Sequence, residues 1–101
     1  MWKIGTNSNT GTTVDIYTNA LDWKTAELAQ KTILLKNTHL TESLKYHLSG
    51  YAVPGDIARE LVAETSLLAG EVAEFHYDRQ WHRLVLQLKD GSGVAAYQID
   101  Y

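Results

Sequence analysis

From Glu71 to Tyr101 apolar side chains recur at every second position through three runs, EVAEFHY, QWHRLVLQL and GVAAYQIDY. A period of two belongs to a β-strand with one buried face. Between the last two runs stands Lys89-Asp90-Gly91-Ser92. Asp-Gly suits a two-residue type I′ loop, so the alternation predicts a hairpin that pairs Leu86 with Ala95, Leu84 with Tyr97 and His82 with Ile99. One face then carries Leu84, Leu86, Leu88, Tyr97, Ile99 and Tyr101, which is a core face.

The preceding turn, Asp78-Arg79-Gln80, sits inside FHYDRQWHRL, where two histidines, an aspartate, two arginines and a tryptophan crowd into ten residues. Loop length decides which residues share a face. An even-numbered loop keeps Ala73, Phe75 and Tyr77 with the leucines, whereas an odd one sets Glu74 against them. The even loop is the consistent choice, and it places His76 and His82 on opposite faces. They cannot ligate one metal together, and no metal site is expected. His39 and His47, eight residues apart with no carboxylate partner in view, add little. The outer face would hold Val72, Glu74, His76, Trp81, Arg83, Val85, Val94, Ala96 and Gln98. It is more apolar than a solvated sheet usually is. It therefore makes a candidate contact surface built on Trp81, Arg83, His76, Val85 and Val94, with Trp81 and Arg83 of the types enriched at binding hot spots.

The middle of the chain reads as helical. Asn19 suits an N-cap before DWKTAELAQK. In THLTESLKYHLSG, Leu40, Leu44 and Leu48 lie four apart, and Gly50 is placed as a stop. After the YAVPGD break, DIARELVAETSLL carries Ile57, Leu61 and Leu68 on one face. Ile33 to Leu35 fit either a last helical turn or a short strand. At the N-terminus, Trp2 and Ile4, the turn chemistry of TNSNTG and the β-branched TTVDIYT predict a hairpin. The expected architecture is thus one α+β domain over residues 1–101: an N-terminal β-hairpin, two to three helices, and a C-terminal three-stranded antiparallel meander packed on them.

Composition narrows the function. The net charge is −3 and the nine lysines and arginines are scattered, which argues against nucleic acid as a partner. The helix pair around Gly50 fails as a DNA-reading unit, because Asp56 falls where such a unit buries an apolar residue. There is no cysteine, which removes thiolate chemistry and disulfides and fits a reducing compartment. No run approaches the ~20 apolar residues that span a bilayer, so the expectation is a cytoplasmic protein without a membrane partner. No nucleophile elbow, P-loop, zinc-helix or dinucleotide motif occurs, and no catalytic residue or cofactor is assigned.

These features point to a small acidic protein-interaction module. It would bind, and in the manner of an immunity, inhibitor or accessory protein restrain, a protein partner, or associate with itself as a homodimer. The alternative is a small-molecule binder or enzyme with a pocket between sheet and helices, edged by Tyr46, Tyr77, Tyr97, His82 and Gln80.

Overall fold

The computed structural model describes residues 7–26, 28 and 30–101. Among them are eight strands and no helix: β1 (Ser8–Thr12), β2 (Thr18–Lys24), β3 (Lys31–Asn37), β4 (Leu44–Tyr51), β5 (Arg59–Leu67), β6 (Val72–Tyr77), β7 (Arg83–Asp90) and β8 (Ala96–Asp100). The α+β expectation is therefore corrected to an all-β fold.

The strands form two antiparallel sheets of four, ordered β1-β8-β3-β6 and β2-β7-β4-β5. The pairs β1·β8, β2·β7, β3·β6 and β4·β5 nest like one long hairpin whose tip is the β4–β5 connection. Rolling that hairpin adds the pairs β3·β8 and β4·β7. The result is a jelly roll, in which two sheets share one core.

The helices fail for a periodic reason. A spacing of four fits a helical stripe, but it is also a multiple of two. In LKYHLSG the intervening Lys45, His47 and Ser49 are polar, and Leu44, Tyr46, Leu48 and Gly50 all point inward along β4. The segment from Asn19 is likewise β2, with Leu21 in the core and an irregularity beside Ala20. Ile33 to Leu35 lie in β3, with Ile33 and Leu35 fully buried. The expected third helix is largely β5, an edge strand whose register against β4 shifts twice. Its supposed apolar face is broken, because Ile57 is 77% and Leu68 59% exposed. Strand pairing overrides local helix preference in all of these segments, with distant strands for β2, β3 and β4 and with β4 for β5.

The N-terminal hairpin is also corrected. Most of its expected turn is strand β1, and its expected second strand contributes the β1–β2 loop, with Val14 and Ile16 exposed. Trp2 and Ile4 lie outside the described residues.

The C-terminal meander is corrected in a more instructive way. β6, β7 and β8 do not pair with one another, since β7 belongs to the second sheet and its neighbours to the first. The predicted inner face is nevertheless right. Phe75, Leu84, Leu86, Leu88 and Ile99 are buried, and Ala73, Tyr77, Tyr97 and Tyr101 pack against them. Strands in opposite sheets of a sandwich share a core just as strands in one sheet share a face. No type I′ turn forms at Asp90-Gly91, because Gly91 lacks the positive φ that this turn needs. Gly91 is required instead for close approach: a Cβ there would stand 2.5 Å from the Ser43 hydroxyl and 2.7 Å from the Ser43 carbonyl oxygen.

Trp81 is the other correction. It precedes β7, where strand alternation no longer governs, and it is only 4% exposed. It lies over Gly50, where an added Cβ would meet the ring at 2.8 Å. Its carbonyl accepts a bond from the Thr25 hydroxyl at 2.7 Å. Truncating a buried tryptophan costs roughly 3–5 kcal/mol, and overpacking a filled site costs about 1–3 kcal/mol. Trp81→Ala and Gly50→Ala should therefore both lower the unfolding free energy from urea titration by amounts in those ranges. A Trp81→Ala midpoint matching that of the wild type would contradict the burial.

Asp100 fastens the first sheet. Its carboxylate accepts from Lys36 Nζ at 2.8 Å and from Gln98 Nε2 at 3.0 Å. Bonds from Lys36, Gln98 and Ser8 hold its pKa at about 2, against an ordinary 3.8. A depressed carboxyl pKa stabilises the fold above the ordinary value, and that contribution disappears as pH falls from 3.8 to about 2. Asp100→Asn should therefore be less stable than wild type at neutral pH, with the gap closing across that acid window. Urea melts over a pH series would show this, and a gap independent of pH would refute it.

Candidate functional site at the two loop ends

Antiparallel strands send their connections alternately to two ends. One end, the crown, gathers loops 13–17, 38–43, 68–71 and 91–95. The other end, the base, gathers the β2–β3, β4–β5 and β6–β7 connections.

Buried polar groups brace the crown from below. Asn37, 2% exposed, donates through Nδ2 to the carbonyls of Glu42 (2.8 Å) and Leu67 (3.1 Å). Its Oδ1 accepts from the His39 amide at 3.0 Å. Thr13, also buried, donates to Asp90 Oδ1 at 2.5 Å and accepts from the Ala95 amide at 2.9 Å. Ser92 joins the β7–β8 and β3–β4 loops, donating to Glu42 Oε2 at 2.6 Å and accepting from the Ser43 amide at 2.9 Å. His39 Nδ1 accepts from the amides of Thr41 and Glu42, so its proton sits on Nε2.

On this frame every crown loop exposes an aliphatic side chain: Val14 and Ile16, Leu40, Leu68, and Val94. Leu40 is the extreme case at 93% exposed. The four loops hold Asp15, Glu42 and Glu71 and no lysine or arginine, and beside them β7 ends in Lys89 and Asp90, with the Lys89 ammonium over the ring of Tyr17.

The base carries both signs of charge. Lys24, Arg59, Arg79 and Arg83 lie there, beside Asp22, Asp56 and Asp78. Arg83 lies 4.1 Å over the Tyr51 ring and 3.2 Å from Asp22, and Arg79 lies 5.2 Å over Trp81. Lys31 is fully buried and ties two connections together, with Nζ donating to the carbonyls of Leu28 (2.8 Å) and Arg79 (2.9 Å). Burial pushes its pKa down, and Asp78 opposes the shift. His82 stands between two open clefts. One, about 250 Å³, is lined by Tyr51, Val53, Pro54, Gly55, Asp56 and Arg83 as well. The other, about 340 Å³, adds Lys24, Ala26 and Leu28 to His82.

The residues singled out from sequence are dispersed. Of the expected contact face, Trp81 and Val85 are buried and Arg83 is half-buried. His76 is exposed on the other sheet, within 3.2 Å of the Thr32 hydroxyl and 3.3 Å of Glu74, and Val94 is at the crown. Of the expected pocket, Tyr46 is 7% exposed and meets Phe75 edge to face at 5.6 Å, while Tyr77 and Tyr97 pack on the core. Gln80 donates to the Ala26 carbonyl. His82 lines the two clefts at the base.

A third feature lies on the outer face of the second sheet. Tyr17 donates to Glu64 at 2.6 Å, meets His47 edge to face at 4.5 Å, and lies 4.8 Å below the Lys89 ammonium. Burial and Glu64 push the phenol pKa up, while the Tyr17 bond and Lys89 hold the carboxyl down. A phenol so held stays protonated and serves as a donor, not as a base.

No protein-family model matches this chain, and no curated protein matches it. Solved structures do. PirA superposes with a TM-score of 0.66 at 14% identity, covering 93% of this chain and 92% of that one. The Yersinia pseudotuberculosis-derived mitogen gives 0.58 at 16% identity, over 99% and 85%. A Bacillus endospore appendage protein, from a family of disulfide-linked pili, gives 0.56 at 13% identity, over 94% and 82%. At identities this low the superpositions show a shared fold alone.

The crown separates display from support, and two substitutions should reveal this. Leu40→Ser should change stability by no more than about 0.5 kcal/mol, as at other surface sites. Asn37→Ala strips partners from buried backbone groups, at ~1–3 kcal/mol each. Denaturant titration of both variants is the check, and equal midpoints would overturn the assignment.

Proposed function

We propose that this protein is a protein-contact module that engages its partner through the crown. The observation that carries the proposal is the set of aliphatic side chains exposed on all four loops at one end. Isolated exposed aliphatics are ordinary on a protein surface, but a cluster on converging loops marks a contact site. Loops held on a rigid sandwich are also where such folds commonly place binding residues. The acidic rim selects a cationic partner surface and disfavours an anionic membrane. Restraint of the partner would follow if the crown covers that partner's own working site. Two proteins of this fold fit a contact role by their descriptions, one a mitogen and one a pilus component. This chain contains no cysteine, so a disulfide-linked assembly is not available to it.

The small-molecule alternative would rest on His82 and the clefts beside it, since Tyr46 is in the core and Tyr77 and Tyr97 pack against it.

A photo-crosslinking residue placed at Leu40 in cells that make the protein should give discrete protein adducts. The same residue at exposed Glu74 in β6 should give few. Absence of adducts at position 40, or equal labelling at both positions, would refute the crown as the contact end.

A further inference from the structure

Two side chains close the β3–β4 loop of the crown from within. Asn37, buried at its foot, accepts from the His39 amide at 3.0 Å and donates to the Glu42 carbonyl at 2.8 Å. His39 closes the tip. Its Nδ1 accepts from the amide of Thr41 at 3.1 Å and from that of Glu42 at 3.0 Å. Between His39 and Thr41 stands Leu40, 93% exposed. Both tip bonds therefore end on one atom, and that atom accepts only while the imidazole is neutral. Histidine is the side chain that ordinarily changes charge between about pH 5 and pH 8. Once protonated, the ring carries hydrogen on both nitrogens and can only donate. An amide N–H cannot bond to an Nδ1–H, so protonation ends both bonds. The Asn37 carboxamide does not titrate, and its bonds to the two ends of the loop persist.

We infer that His39 is a pH-sensitive latch: acidification opens the tip of the β3–β4 loop and withdraws Leu40 from the contact end. This rests on the crown being the contact end and adds a control over it. The open loop binds a proton that the closed loop excludes, so falling pH favours opening and rising pH restores the closed form. The other titratable groups of the crown are Glu42 on the same loop, Glu71 on the β5–β6 loop, Asp15 and Tyr17 on the β1–β2 loop, and Lys89 and Asp90 at the end of β7. Three of the carboxylates are already engaged, Glu42 by the Ser92 hydroxyl, Glu71 by the Leu68 amide and Asp90 by the Thr13 hydroxyl. His47 meets the Tyr17 ring edge to face at 4.5 Å, so a second histidine touches a crown residue. It makes no bond to the tip amides, which are held by His39.

Nitrogen-15 NMR of the wild type between about pH 8 and about pH 5 reads the latch directly. The His39 ring should pass from the Nε2–H tautomer to the imidazolium. The Thr41 and Glu42 amides should move to the shifts of water-bonded amides with the same midpoint. His39→Asn should hold both amides at their bonded shifts across the range, because a carboxamide oxygen accepts from the amides that follow it and does not titrate. His39→Ala should show the open shifts at every pH. Amides that stay fixed while the ring titrates would overturn the latch. An equal response in His39→Asn would assign the change to another group, His47 among them, and would overturn it too.

The effect on contact is read by the crosslinking residue at position 40, in extracts of the same cells at about pH 7.5 and about pH 5.5, on either side of the usual histidine range. Adducts should fall severalfold at the lower pH when His39 is present. They should not fall in His39→Asn, and in His39→Ala they should be few at both values. A fall shared by His39→Asn would belong to the partner and overturn the control. An NMR response with adducts unchanged by pH would also overturn it, while leaving the crown as the contact end. Adducts absent at both values would remove the crown as the contact end, and this control with it.

Discussion

The pairing of β4 with β7 is the contact on which the rest of this molecule depends. These are the two central strands of the second sheet, and their register sets Leu48 opposite Leu86, Tyr46 opposite Leu88 and Gly50 opposite Leu84. Leu48, Leu84 and Leu86 are fully buried. β4 holds the edge strand β5, and β7 holds the edge strand β2. The pair also joins the two legs of the nested hairpin, because β4 ends its first leg and β7 lies in its second. Without it, neither inner face has a complete opposing layer to bury against.

Both loop ends follow from that arrangement. Once the strands alternate in direction, the odd-to-even connections converge on the crown and the even-to-odd ones on the base. The chain then braces each end with buried polar groups in place of further apolar ones. Asn37 and Thr13 satisfy backbone groups beneath the crown, and Lys31 and Thr25 do so at the base. Buried donors and acceptors are costly when unpaired, so these residues fix loop positions that apolar packing alone would leave slack. Trp81 adds a large apolar anchor at the base, admitted only because Gly50 has no side chain. The exposed aliphatics at the crown are thereby free of structural duty.

The sequence by itself determined the core-facing side of each C-terminal strand, although Val85, on the opposite side of β7, is buried as well. Period-two alternation put Phe75, Leu84, Leu86, Leu88 and Ile99 together, and a side chain's parity along a strand is a local property. The same rule set His76 and His82 apart; His76 lies in β6 of the first sheet, and His82 stands just before β7 of the second. Tertiary structure alone decided which strands pair. Leu40, Leu44 and Leu48 suit a helix and a strand equally until a distant β7 supplies hydrogen-bond partners for β4. Asp90-Gly91 suits a tight hairpin until β8 finds a place between β1 and β3. Trp81 lies outside any strand, so no alternation could predict its inward turn, and the crown joins loops that are remote in sequence. Facing is written in neighbouring residues, whereas pairing depends on which of many long-range contacts bury the most surface together, and that is settled only when the whole chain closes.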